Sequence, residues 1–195
     1  YANANYSLSY LFANGPFYHT DAKLDFALGK KADFMVGLIN GWDSLRDNNG
    51  PGVASQLHFN LKKDMDLFLN YVGSKEAVNG ARREEFRHIF DLTAPLSFGK
   101  FNLGLNAALG MQETAAKSDG KWYGFAVYPG FDVSKSFNIA LRFEMFQDKE
   151  DALRIADDVM AITLTPTIKM NDGTFMIKPE VRWDKATNKV FRKNN

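Results

Sequence analysis

The stretch Phe101-Asn-Leu-Gly-Leu-Asn-Ala-Ala-Leu-Gly-Met111 decides the fold. Its odd positions are Phe, Leu, Leu, Ala, Leu and Met, and its even positions are Asn, Gly, Asn, Ala and Gly. Successive side chains of a strand point to opposite faces, so this alternation places all the large apolar groups on one side. The segment from Phe137 repeats the design, with Phe137, Ile139, Leu141, Phe143 and Met145 set against Asn138, Ala140, Arg142 and Glu144. Near the end, Phe175, Ile177, Pro179, Val181 and Trp183 alternate with Met176, Lys178, Glu180, Arg182 and Asp184. A helical period of 3.6 fits none of the three.

Working outward, the same reading gives about eleven strands, near 5–12, 18–28, 33–42, 53–62, 66–73, 86–96, 101–111, 121–133, 137–146, 159–170 and 175–184. Most reach the roughly 9 to 11 residues that cross a bilayer when tilted. Short connections at 29–32, 62–65, 97–100, 133–136 and 171–174 alternate with longer polar ones at 43–52, 74–85, 112–120 and 147–158. The pattern predicts an all-β, antiparallel, up-and-down transmembrane barrel with tight turns at one end and loops at the other. The first hairpin falls at Asn14-Gly15-Pro16, and a short helix is expected within 147–158. Pro129, Pro166 and Pro179 lie inside strands, where bulges are expected. An odd strand number implies a piece of a larger barrel, so 1–195 reads as one barrel domain incomplete at both ends.

Composition agrees. Aromatic residues make up 14% of the chain, with 17 Phe and 7 Tyr, which suits aromatic girdles. Phe34, Phe101, Phe137 and Phe175 open strands on the apolar face; Trp42, Tyr71 and Trp183 close such strands, and Tyr123 opens one at the same level. Eight residues at about 3.3 Å give roughly 26 Å along a strand, close to the apolar band once tilted. These eight are the expected membrane-interface aromatics. The opposite face carries Asp21, Lys23, Asp25, Gln56, His58, Asn60, Arg87, Asp91, Arg142, Glu144, Lys178, Glu180, Arg182 and Asp184. In a soluble sandwich they would be the solvated side; in a barrel they line a pore.

The segments Tyr10-Leu-Phe-Ala-Asn-Gly-Pro-Phe-Tyr-His-Thr20, Gly37-Leu-Ile-Asn-Gly-Trp-Asp43, Lys121-Trp-Tyr-Gly124, Leu141-Arg-Phe-Glu144 and Lys178-Pro-Glu-Val-Arg-Trp-Asp184 span nearly the whole chain. Together they resemble the OmpL-type, porin-like β-barrel family of Gram-negative outer membranes. The resemblance implies a longer barrel, with strands before the equivalent of Tyr1 and a last strand ending in an aromatic. Asp21 stands where the family pattern leads one to expect Gly. No catalytic or substrate-binding residue carries over.

Chemistry-bearing alternatives find little support. Cysteine is absent, which excludes thiolate metal sites and cysteine nucleophiles. His19, His58 and His88 lack metal-ligand spacing. A lipid hydrolase needs a His beside a Ser near one rim, whereas His58 reads as inward and His88 as outward. Carboxylates at Asp43, Asp47, Asp148, Glu150, Asp151, Asp157 and Asp158 lack the ordered spacing of a Ca²⁺ loop. Trp122 and Tyr128 are the inward aromatics close enough together for a sugar ladder. With 24 basic and 23 acidic residues, the net charge of +1 gives no reason to expect nucleic acid. The expectation is a non-enzymatic channel in the cell outer membrane, without cofactor, in contact with lipid and lipopolysaccharide, passing small polar solutes or ions with weak selectivity. A homo-oligomer or a partner in an outer-membrane complex stays open. So do a structural barrel with a plugged lumen and a soluble β-sandwich binding module.

Overall fold

The computed structural model describes residues 3–43, 51–77, 84–113, 120–148, 152–153 and 157–187. After a one-turn helix, α1 (Tyr10–Ala13), come β1 (Asp21–Ala27), β2 (Ala32–Ile39), β3 (Gly52–Lys62), β4 (Met65–Ala77), β5 (Glu84–Phe98) and β6 (Phe101–Gln112). β7 (Gly120–Ser134), β8 (Phe137–Asp148), β9 (Asp157–Met170), β10 (Phe175–Ile177) and β11 (Val181–Ala186) follow. All eleven strands belong to one antiparallel meander in sequence order, with β10 and β11 both beside β9. β1 and the β10/β11 strand are its two edges, and the sheet is not closed among the described residues. No helix there is long and apolar enough to cross a membrane.

β10 and β11 are one pass, because their register against β9 runs unbroken from Phe175 opposite Met170 to Ala186 opposite Val159. The interruption has a simple cause. By that register Pro179 falls opposite Pro166, and proline has no N–H for a ladder. The expected proline bulges do not form: Leu103 still pairs with Pro129, and Ile139 with Pro166. The register shifts lie instead next to turns, at Asn60/Lys62 and Asp132/Ser134. The other correction is the predicted strand over 5–12, which is a coil leading into α1. Ser9 caps that helix by accepting from the Phe12 amide at 3.1 Å.

The short connections are tight turns at one end of the sheet, and they use left-handed residues: Asp64 (φ 60°), Gly99 (φ 71°), Asn171 (φ 49°) and Asp172 (φ 53°). A Cβ on Gly99 would meet nothing within 4 Å, so its φ alone explains the glycine. The expected helix within 147–158 falls largely outside the described residues.

Pairing in register makes each face continuous. One outward row runs Phe26, Phe34, Leu57, Leu69, Leu92, Ala107, Phe125, Met145 and Met160 across nine strands. Flanking it on this face are Tyr71, Phe90, Leu109 and Tyr123 toward the loop end, and Phe98, Phe101 and Phe131 toward the turns. Soluble monomers rarely expose apolar patches beyond a few hundred Å². A surface of stacked apolar rows between aromatic rows fits lipid instead.

The rows also show stagger. The ladder from Leu24 in mid-β1 passes Val36, Ser55, Tyr71, Phe90, Leu109, Tyr123, Gln147 and Asp158. It reaches Thr187 just past the end of β11, where the Thr187 amide bonds the Asp158 carbonyl. Such shear is the geometry that lets a sheet curl. Curl is evident from Trp42, after β2, and Trp122, on β7, whose rings are 6.5 Å apart. Five flat strand spacings would put those strands roughly 24 Å apart.

We predict that Phe125→Arg, at mid-height on the outward face, costs about 2–4 kcal/mol of stability in urea titration of the protein folded in lipid vesicles. Asn60→Lys, on the other face, is expected to cost under about 1 kcal/mol.

Candidate functional site: the inward face and the segment it holds

The inward face begins with a strand pattern and ends with charge. Thr163, Thr165 and Thr167 of β9 alternate with Ile162, Leu164 and Ile168, and all three threonines are buried. Beside them stand Arg142 and Glu144 of β8 and Arg182 and Asp184 of β11. What covers these groups is residues 3–13, which cross the concave side of the sheet.

The contact is almost wholly polar. Arg142 donates through its Nη atoms to the Ser7 carbonyl at 2.6 Å and to the hydroxyls of Ser7 and Thr163 at 3.1 Å each. Its Nε sits 2.9 Å from Glu144 Oε1, and both side chains are 1% exposed. Glu144 accepts from the Tyr10 amide at 2.6 Å and lies 3.5 Å from Arg182. Arg182 donates to the Leu8 carbonyl at 2.9 Å and pairs with Asp184 at 2.8 Å, while its guanidinium lies 4.7 Å from the Tyr10 ring centre. Tyr10 donates to Asp184 at 3.1 Å. Burial, with Asp184 adding to it, raises the Tyr10 phenol above its ordinary value, so it stays a donor.

Further along, Glu180 accepts the amides of Tyr6 and Ser7 and the Thr165 hydroxyl. Asn5 donates to Thr165 at 2.8 Å, and Lys178 donates to the Asn3 carbonyl at 2.7 Å. An irregular segment leaves backbone groups unpaired, and here side chains of the wall satisfy them.

Toward the loops the interior turns apolar. Leu11 of α1, Trp42, Ile89, Trp122, Ala126 and Phe146 form one buried cluster. Trp42 is therefore a correction: at 7% exposed it lies inside the curl, with the Arg87 guanidinium 5.2 Å from its ring centre. Its chain leaves the ladder at Ile39, so strand parity no longer governs it. The other seven predicted interface aromatics, Phe34, Tyr71, Phe101, Tyr123, Phe137, Phe175 and Trp183, keep outward positions.

Of the remaining predicted lining residues, Asp91 and Gln56 belong to one further network and His58 and Asn60 to another. Asp91 accepts from Asn70 at 2.8 Å and from Asn106, and Gln56 donates to Asn70 at 2.8 Å. His58 bridges Asp33 and Asp66 at 2.8 Å each, and Asn60 donates to the same Asp66. Arg87 donates to Gln112 at 2.6 Å. Asp21, Lys23 and Asp25 are exposed on the edge strand β1. Between residues 3–12 and β5–β10, toward the turn end, lies a cavity of about 570 Å³.

A family model described as "putative beta-barrel porin-2, OmpL-like" matches residues 1–195. The chain belongs to that family. No curated protein and no solved structure matches it. Membership of this family supports a porin-type outer-membrane channel at a coarse level, in line with the apolar outward face.

Strand parity did not single out Ser7, Tyr10, Asp132, Asn102 and Thr163 of this OmpL-like chain. Two signals were present: Ser9 before Tyr10-Leu-Phe-Ala is a helix cap, and threonine recurs at alternate positions 163, 165 and 167 of β9. Among the described residues, no group of three His, Asp or Glu could hold a metal.

Glu144→Ala leaves Arg142 buried without its carboxylate, and we expect a loss of about 3 kcal/mol by urea unfolding. Arg142→Met combined with Glu144→Leu is expected to recover only part of it: no charge is stranded, while the Ser7 carbonyl and the Tyr10 amide lose their partners.

Proposed function

We propose that the protein is a non-enzymatic outer-membrane channel for passive diffusion of small polar solutes or ions, with weak selectivity. The observation that carries this is an inward face that is polar and carries both signs of charge over its turn-end part, behind an outward face of apolar rows. Interspersed charges set a field across the lumen without favouring one sign of ion. Asp21, Lys23, Asp25, Gln56, His58, Asn60, Arg87, Asp91 and Lys178 face the solute in this reading. Arg142, Glu144, Glu180, Arg182 and Asp184 act at one remove, holding residues 3–13. Lipid and lipopolysaccharide contact the outward rows.

A second reading is a structural barrel with an occupied lumen. It is favoured by the clamped segment and by the Leu11, Trp122 and Phe146 cluster beneath the loops.

Single-channel recording of the protein in a planar bilayer separates the two. The channel reading expects stepwise openings with nearly equal cation and anion permeability, moving toward cations in Lys169→Glu with Lys178→Glu. A folded, silent barrel that conducts only after removal of residues 1–13 would establish the second.

A further inference from the structure

The cavity of about 570 Å³ falls within the range of roughly 300 to 1,000 Å³ typical of small-molecule sites. It has a composite wall, with residues 3–12 on one side and the inward positions of β5 to β10 on the other. Its chemistry is set by what remains available after the internal bonds are made.

Apart from Lys169, the charges around it are already engaged. Asp132 accepts the side-chain amides of Asn102 and Asn138 at 2.8 and 2.9 Å. Arg142 is tied to Ser7, Thr163 and Glu144, and Lys178 to the Asn3 carbonyl. Lys169 stands exposed at the turn end. In each of Asn106 and Asn138 the amide nitrogen is the bonded atom, which leaves the side-chain carbonyl as acceptor. Asn5, also in the wall, donates to Thr165, and its carbonyl oxygen is buried out of a solute's reach. Neutral acceptors therefore predominate.

Aromatic faces complete the site. Phe12, 54% exposed, comes from the inner segment, and Tyr128 from β7. The Tyr128 side chain lies over Gly104, where a Cβ would come within 3.2 Å of it. Gly130 differs: a Cβ there would meet nothing closer than 3.8 Å. Glycine at that position keeps space open.

We propose that this cavity is a binding site for a neutral polyhydroxylated solute of mono- to disaccharide size. The inference rests on the channel reading for its physiological role, and not for binding itself. Sugar hydroxyls donate to the amide oxygens of Asn106 and Asn138, and the apolar face of the ring lies against Phe12 or Tyr128. A cation would gain less, since the carboxylates here have partners, and an anion would have Lys169 alone to pair with, at the exposed turn end.

The test uses the whole chain in detergent micelles, with maltose as probe and citrate, a smaller polar molecule, as the anion. Maltose binding by calorimetry is expected, weakened roughly tenfold, about 1.4 kcal/mol, by Phe12→Ala. Gly130→Phe is expected to fill the cavity and abolish binding, with the folded state checked by circular dichroism. In bilayers, maltose is expected to interrupt the wild-type current and not that of Gly130→Phe. Currents indifferent to maltose, with no calorimetric binding, would overturn the site and leave the channel standing. Binding by a silent barrel would keep the site and remove the channel. Citrate binding more tightly than maltose would overturn the proposed chemistry.

Discussion

Within a bilayer no water is available to backbone N–H and C=O groups, and each one left unpaired costs several kcal/mol. The whole architecture follows from that constraint. Ladder bonds satisfy the strands, and once the backbone is paired the side chains must alternate, every second one toward lipid and the others inward. The outward row from Phe26 to Met160 is the visible result. Where the ladder cannot be completed, at Pro166 opposite Pro179, the final pass breaks into two short strands.

The same constraint governs residues 3–13. They form neither strand nor long helix, so their backbone groups need partners from elsewhere. Glu180, Arg142, Glu144 and Arg182 provide them, each bonding a main-chain atom of the segment. Charges that would otherwise face a water-filled lumen act here as fixed hydrogen-bonding groups. Such pairs contribute little net stability, because desolvation offsets attraction, but they fix position strongly. The segment is thus located by charge on one side and by Leu11 in the aromatic cluster on the other. Its placement divides the interior into an apolar region below the loops and a polar cavity toward the turns.

Strand positions were legible in the sequence because period-2 alternation is a local property. Ten of the expected strands, from 18–28 onward, correspond to β1 through the β10/β11 pass. The tight turns were equally legible, since Asp, Asn and Gly tolerate left-handed φ. The failure at 5–12 has a physical cause. Tyr6, Leu8 and Tyr10 alternate with Ser7 and Ser9 as a strand would, while the Ser9 cap and the wall charges reward another conformation. Trp42 failed for a related reason, standing beyond the last paired residue, where parity carries no information.

By itself, the sequence determined the strands, the turn end and the loop end, and which side chains share a face, because each depends on neighbours two residues or one turn away. Only the tertiary structure decided what the inward charges do. Arg142 meets Ser7 across 135 residues, and Glu180 meets Tyr6 across 174. Those encounters depend on stagger and curl, which sum small offsets over every strand pair and are not encoded at any single position.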